Sequence, residues 1–334
     1  MMNRKIVFGI VFLATGYIYG SVYNCPKDYS GNYVSPTARD LIILTNNSPE
    51  LTKIIANNQT PGTWAVNQRK GFAGYVNQVI GTQPDTVNAM VVDSNGVFTV
   101  VGSSAGQYAM MSRFLANGSF DTTFGSMGYV NFDIGLTADS FTSVIFDASG
   151  QGYYLGINLD TAHGIMHVTN AGAIDTSFGT MGLFTASAPF QSVVGVALQS
   201  TGNIVYTGEG TGGANSFAVG RITSAGVVDS SFTVYSPGPS IEPKAIAVDS
   251  EDRIIVVGKA VGSALRVYRF LPNGGLDTSF GVAGYFSQTD MNGLAVAVLS
   301  DDSIIAVGDN TAHTQFKVVK LNDMGVLDTT FGAG

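Results

Sequence analysis

The sequence predicts an all-β chain, a β-propeller of five four-stranded blades. Three observations carry that expectation. One motif recurs five times along the 334 residues, short β-branched runs alternate with glycine turns, and no stretch shows helix-length apolar periodicity.

The repeat is explicit. FDTTFG, IDTSFG, VDSSF, LDTSFG and LDTTFG set their aspartates at Asp121, Asp175, Asp229, Asp277 and Asp328, spaced 54, 54, 48 and 51 residues apart. A glycine stands three residues before each (Gly118, Gly172, Gly226, Gly274, Gly325) and a phenylalanine three after (Phe124, Phe178, Phe232, Phe280, Phe331). Asn117–Gly118 and Asn273–Gly274 read as tight hairpin turns, since both residue types tolerate positive φ. An aspartate followed by two hydroxyl residues suits a turn in which the carboxylate accepts nearby backbone N–H groups. The phenylalanine is an apolar plug expected between neighbouring blades.

Four strands follow per unit. The first reads NAMVVD (Asn88–Asp93) or KAIAVD (Lys244–Asp249), the second VFTVVG (Val97–Gly102) or IIVVG (Ile254–Gly258). The third reads YAMMSRF (Tyr108–Phe114) or LRVYRF (Leu265–Phe270), the fourth GYVNF (Gly128–Phe132) or GYF (Gly284–Phe286). Eight residues before each aspartate stands a cationic type: Arg113, His167, Arg221, Arg269 and Lys320. That offset places the pair diagonally across a hairpin, so a repeated cation–carboxylate contact is expected to fix its geometry. Five copies point to structure, because one active site does not need five equivalents.

Gly71–Val76 reads GFAGYV and matches GSMGYV (Gly125–Val130) and GVAGYF (Gly281–Phe286). This segment is expected to supply the strand missing after Phe331, giving ring closure by an N-terminal strand. The repeats then tile as 71–124, 125–178, 179–232, 233–280 and 281–331, with residues 1–20 as a signal peptide and 21–70 as a leader that Trp64 anchors or leaves to the core. The rival reading is a fragment of a longer array.

Composition agrees with export of a β-rich body. Arg4 and Lys5 precede an apolar stretch from Ile6 to Tyr19, and Gly20 and Ser21 follow. Fourteen apolar residues fall short of the roughly 20 that span a bilayer; an uncleaved anchor or a buried strand is the other reading. The net charge is −8, and −10 without Arg4 and Lys5, with no basic cluster to neutralise phosphates, so nucleic acid is excluded as an expected partner. Cys25 is the single cysteine, so no internal disulfide forms, and Val22–Asn24 do not make a lipidation box.

The combination NGxxDTSFG, preceded by V-D-x-x-G and an apolar strand ending in glycine, resembles the delta-60 repeat, grouped among β-propellers of unknown function. The resemblance runs from Gly71 to Gly332 and implies export and surface interaction, with no catalytic residue. The third copy departs from it, with Thr233 in place of glycine after Phe232 and an irregular TVYSPGPS segment. VVDSNGVFTVVG is also similar to an NHL-type strand pair, a weaker likeness.

No phosphate loop, nucleophile elbow or HExxH is present. His163 and His313 fall in matching loops, DTAHG and NTAHT, which repeat descent explains better than a shared metal. DSNG at Asp93 and DSED at Asp249 lack the alternating ligands of a calcium loop and read as turns. Carboxylates outside the repeat position (Asp139, Asp160, Glu209, Glu242, Asp290, Asp309) are the candidates for glycosidase-type chemistry, which requires two of them to converge. The expected function is an exported, non-catalytic binding or scaffold module, without cofactor, whose partner is a protein or glycan at the cell exterior. The alternative is a carbohydrate-active enzyme with carboxylates at the central channel.

Overall fold

The computed structural model describes residues 85–104, 107–134, 139–150, 152–213, 215–237 and 240–332. The expected signal peptide and leader, Cys25, Trp64 and the Gly71–Val76 segment lie outside them. Among the described residues the chain is all-β, and no helix is long and apolar enough to cross a membrane.

The strands form five antiparallel sheets. The first holds β1 (Asp85–Val92), β2 (Phe98–Ser104), β3 (Tyr108–Phe114) and β4 (Tyr129–Phe132); the second holds β5 (Ser140–Phe146), β6 (Gly152–Asn158), β7 (His163–Thr169) and β8 (Leu183–Thr185). The third holds β9 (Gly195–Leu198), β10 (Ile204–Glu209) and β11 (Phe217–Ile222). The fourth holds β12 (Ile241–Val248), β13 (Ile254–Ala260), β14 (Ala264–Phe270) and β15 (Tyr285–Gln288), and the fifth β16 (Asn292–Val298), β17 (Ile304–Asp309) and β18 (Phe316–Leu321). Strands in each sheet pair in chain order, and the first strands of successive sheets pack together: β1 on β5, β5 on β9, β9 on β12, β12 on β16. That is the radial arrangement of a β-propeller, in which each blade screens its neighbour's face.

The third sheet departs from the four-stranded expectation. Its outer strand shrinks to a single bridge between Val219 and Tyr235. The cause is local: Thr233 stands where the other copies turn on glycine, and prolines at 237 and 239 cannot donate to a ladder.

The core lies between sheets. Phe124, Val101 and Met111 of the first unit pack with Tyr153, Leu155 and Met166 of the second, and Phe280, Val257 and Leu265 of the fourth pack with Ile304, Ala306 and Leu321 of the fifth. The plug phenylalanines Phe124, Phe178, Phe232 and Phe280 are all buried. Replacing one by alanine removes about 3–5 kcal/mol.

The hairpins are built differently from the tight turn the Asn-Gly pairs suggest. Only the glycine takes the left-handed region (Gly118 φ 82°, Gly274 φ 90°). Asn117 instead turns its Oδ1 inward to accept the Ser119 N–H at 3.0 Å, while Gly118 N–H donates to Leu115 O at 2.8 Å. This is a type I turn followed by a left-handed glycine, the longer hairpin loop. A second glycine family follows from close strand approach. A Cβ on Gly308 would lie 1.7 Å from the Asn292 carbonyl, beside the register shift between Gly293 and Ala295.

Candidate functional site

Each repeat position has a definite place. Arg113 Nε donates to Asp121 Oδ2 at 2.8 Å, Arg221 Nε to Asp229 Oδ2 at 2.9 Å, and Arg269 Nε to Asp277 Oδ2 at 2.7 Å. Lys320 Nζ lies 3.1 Å from Asp328 Oδ2, and His167 Nδ1 2.8 Å from Asp175 Oδ2. The other aspartate oxygen accepts the N–H and hydroxyl two residues on, as at Asp175 with Ser177 (3.0 and 2.6 Å). Each guanidinium also lies over the plug ring of its own copy, Arg113 on Phe124, Arg221 on Phe232 and Arg269 on Phe280, at 4.6–4.9 Å. These contacts are spent on holding blades together. They leave little free to meet a ligand.

Electrostatics agree. Hydrogen bonds from Ser177, then the His167 contact, hold the Asp175 carboxyl below the usual carboxylate value. Thr330 and Lys320 bring Asp328 down to about 2. At Asp121 burial pushes upward, but the Thr123 bonds and the Arg113 charge outweigh it. All three are ionised at neutral pH.

The copy-specific carboxylates scatter, except for one pair. Asp139, only 1% exposed, accepts the Ile134 N–H at 2.7 Å. Asp160 is exposed in the turn after β6. Asp290 receives Lys317 Nζ and Thr311 N–H, which lower its carboxyl to about 2. Asp309 accepts from Asn292 Nδ2 at 2.8 Å and pairs with His313 Nδ1. Glu209 and Glu242, by contrast, line one cavity of about 270 Å³ with Gln191, Asn215, Ser216, Gly210 and Gly213.

That cavity sits between the third and fourth sheets, at the end where their first strands begin. Glu209 closes β10, and Glu242 is the second residue of β12. The intervening loop is pinned on three sides. Gln191 N–H donates to Glu209 O at 2.8 Å, Ser216 Oγ to Gly210 O at 2.5 Å, and Ser240 N–H to Asn215 O at 2.7 Å. Lys244 pairs with Glu242, and Lys259 faces Glu242 across the ladder. The lining therefore offers two carboxylates, two amides and a hydroxyl on a fixed frame, the equipment for a polar ligand.

The histidines do not converge. His163 Nε2 lies 3.0 Å from the Phe190 carbonyl, whereas His313 pairs within its own copy. Among the described residues no group of three or more metal-ligating side chains occurs. Asp93 and Asp249 serve as turn residues, each accepting two backbone N–H groups from its own turn.

Several residues escaped the sequence reading. Asp147 lies 3.1 Å from His167 Nε2, so that ring meets a carboxylate on each side. Asp252 and Asp302 accept the N–H and hydroxyl of Ser200 and Ser250 in the preceding blade, at 2.6–2.9 Å. Their signal was present in the sequence: both replace the turn glycine of Gly96, Gly150 and Gly202, and both keep its positive φ (63° and 59°).

Residues 199–232, 252–280 and 299–331 match the family model described as a domain of unknown function (DUF5122) beta-propeller. No curated protein matches the sequence. Among solved structures, a PQQ-bound aldose sugar dehydrogenase from Streptomyces coelicolor is 13% identical, with 76% of this chain and 86% of that one covered and a TM-score of 0.48. A gluconolactonase from Xanthomonas campestris is 11% identical (73% and 75% covered, TM-score 0.46), and a protein of unknown function from Bacteroides caccae 14% (69% and 70%, TM-score 0.46). No residue role is carried over from them. The radial sheets and the family match together make this chain a β-propeller of unknown function.

Proposed function

We propose that this chain is an exported, non-catalytic binding module that takes a hydroxyl-rich ligand, a glycan, at the cleft between Glu209 and Glu242. One observation carries the reading. The position after the invariant strand glycine holds Ser103, Glu209, Lys259 and Asp309 in four copies and the buried Ile157 in the other, four different polar side chains on a frame whose ion-pair positions barely change. A constant frame with a varied end is the usual plan of a recognition surface. Carboxylates and amides carried on a backbone held by those bonds can accept from and donate to neighbouring hydroxyls. Export rests on Arg4, Lys5 and the apolar run to Tyr19, and the DTSFG motifs support placing the repeats with the delta-60 units.

The test is a glycan panel against the purified chain, followed by titration of the best ligand into Glu209→Gln and Glu242→Gln. Charge-assisted hydrogen bonds contribute about 1.5–3 kcal/mol, so either change weakens binding by roughly 10–100-fold. Affinity unchanged in both variants removes the cleft from the reading. The second reading, a carbohydrate-active enzyme, is favoured by the same two carboxylates lining one cavity. Glycan turnover that disappears in either variant would establish it and displace the first.

A further inference from the structure

The two ends of the propeller differ in chemistry. Paired strands alternate in direction, so the turn after each first strand and the hairpin after each third strand share one end. Glu209 and Glu242 lie at the other. Among the described residues eight large apolar side chains are more than half exposed, and six of them stand at the hairpin end: Met127, Met181, Val227, Val228, Val282 and Val326. They are neighbours across the sheet boundaries. Gly179 N–H donates to Ala225 O at 2.8 Å, so the turn carrying Met181 touches the turn carrying Val227, and Gly281 N–H donates to Met324 O at 2.8 Å, so Val282 and Val326 are related in the same way. Met127 and Met181 also hold φ of 58° and 54°, a region that glycine favours, while 73% and 78% exposed. The fold gains no packing from either side chain and carries an unfavourable backbone to present it. Six side chains at these exposures offer several hundred Å² of apolar surface, the size that marks an interaction site on a soluble chain.

Charge chooses the occupant. The first-strand turns and third-strand hairpins, with the repeat cations included, carry thirteen carboxylates against five arginines and lysines. All five cations are engaged, four with the repeat aspartates and Arg253 with Asp249. The surplus at this end is therefore negative, which opposes a second copy of the same face and an anionic lipid surface alike. We propose that the hairpin end docks a basic amphipathic segment of a protein partner, its apolar anchors on Met181 and Val227 and its lysines or arginines among the carboxylates. Flexible methionine side chains mould to anchors of varied shape. A helix with apolar groups on one face and cations beside them matches both features of the surface. This end is separate from the Glu209–Glu242 cleft, and the proposal does not depend on what that cleft binds.

The probe is a fluorescein-labelled amphipathic helix of leucines and lysines, titrated with the full chain and read by anisotropy. Saturable binding that weakens as salt rises is expected. Met181→Gln with Val227→Gln should weaken it at least about tenfold at an unchanged urea midpoint, since both side chains are exposed. Met127→Gln, in the neighbouring sheet, reads the same surface without touching that pair and should weaken binding by a smaller factor. Val261→Gln with Phe316→Gln removes comparably exposed apolar groups from the opposite end and should leave the affinity unchanged. No binding, or equal losses from the two pairs, overturns the proposal. Equal affinity for a leucine–glutamate helix overturns it too, because charge would then not select the partner. A loss confined to Glu209→Gln or Glu242→Gln assigns the peptide to the cleft instead. A dimer in sedimentation that Met181→Gln with Val227→Gln dissolves gives the surface to a second copy, and either result sinks the proposal.

Discussion

The Tyr154 hydroxyl donates to the Ser224 carbonyl at 3.3 Å, and in doing so stands in for an arginine. In three of the other copies the guanidinium Nη1 reaches that same carbonyl in the next sheet, two residues before the turn glycine: Arg113 to Asn170 at 2.6 Å, Arg221 to Pro272 at 2.7 Å, and Arg269 to Asp323. His167 is shorter, and both its nitrogens already face carboxylates. Burial, then the charges of Asp147 and Asp175, push the Tyr154 phenol up, so it remains a donor at neutral pH. Tyr154→Phe should cost about 0.5–1.5 kcal/mol in urea unfolding, and adding His167→Arg should recover part of it by restoring the longer donor. An unchanged urea midpoint for Tyr154→Phe would show that the bond contributes nothing.

The five repeat contacts to aspartate share a pattern but not an environment, so their deletions should rank. Arg269 is 2% exposed, stacks on Phe280 and reaches the Asp323 carbonyl; Lys320 is about a quarter exposed. Arg269→Met leaves the Asp277 carboxylate buried without its cation, at a cost of about 3–5 kcal/mol. Lys320→Met should cost about 0–1 kcal/mol, because water and salt already screen that pair. Equal losses in chemical denaturation would mean that burial does not govern these contacts.

Much of this was legible in the chain itself because the repeat fixes it twice over. Asp121 and Phe124 recur with their glycine and cation at constant offsets, so strand order, hairpin position and inter-sheet plug all follow from one alignment. The weak outer edge of the third sheet was also visible, in Thr233 and the prolines after it. What stayed hidden depends on contacts between copies. Nothing in the local sequence of Tyr154 names Ser224, 70 residues away, as its acceptor. The convergence of Glu209 and Glu242 likewise requires knowing that the end of β10 abuts the start of β12. The conformation of the Asn117–Gly118 turn was misjudged because the asparagine side chain, not its backbone, does the turning.

A glycine in the repeat should be as costly to lose as a charge. Gly226 has φ 75°, and a Cβ there would lie 2.7 Å from the Gly179 amide nitrogen and 3.0 Å from the Phe178 ring. Gly226→Ala meets a left-handed backbone, worth about 1–3 kcal/mol on its own, and also forces the second and third sheets apart. Gly262→Ala is the matched control, since φ is 79° there but nothing lies within 4 Å. Thermal unfolding should lower Tm markedly more for Gly226→Ala than for Gly262→Ala. Equal shifts would assign the whole cost to backbone strain and none to the interface.

Acid should loosen the propeller through its turn aspartates. Asp175, Asp229 and Asp328 are held below the ordinary aspartate value of about 3.9, first by the Ser177, Ser231 and Thr330 hydroxyls and further by their cationic partners. A carboxyl depressed in the folded state binds fewer protons there than in the unfolded chain, so its contribution is complete above the unfolded value and disappears as pH falls through the folded one. For Asp328 that window runs from about 4 down to about 2. The net charge of −8 works the other way over part of this range, because protonating exposed carboxylates relieves repulsion. Comparing the chain with Asp229→Asn, whose partner Arg221 keeps its charge throughout, separates the two effects, as repulsion is nearly common to both. The difference in stability between them should be constant from pH 7 to about pH 5 and shrink between about pH 4 and pH 2. A difference that widens on acidification would mean that the folded chain holds Asp229 protonated more tightly than the unfolded one, contrary to the Ser231 and Arg221 contacts.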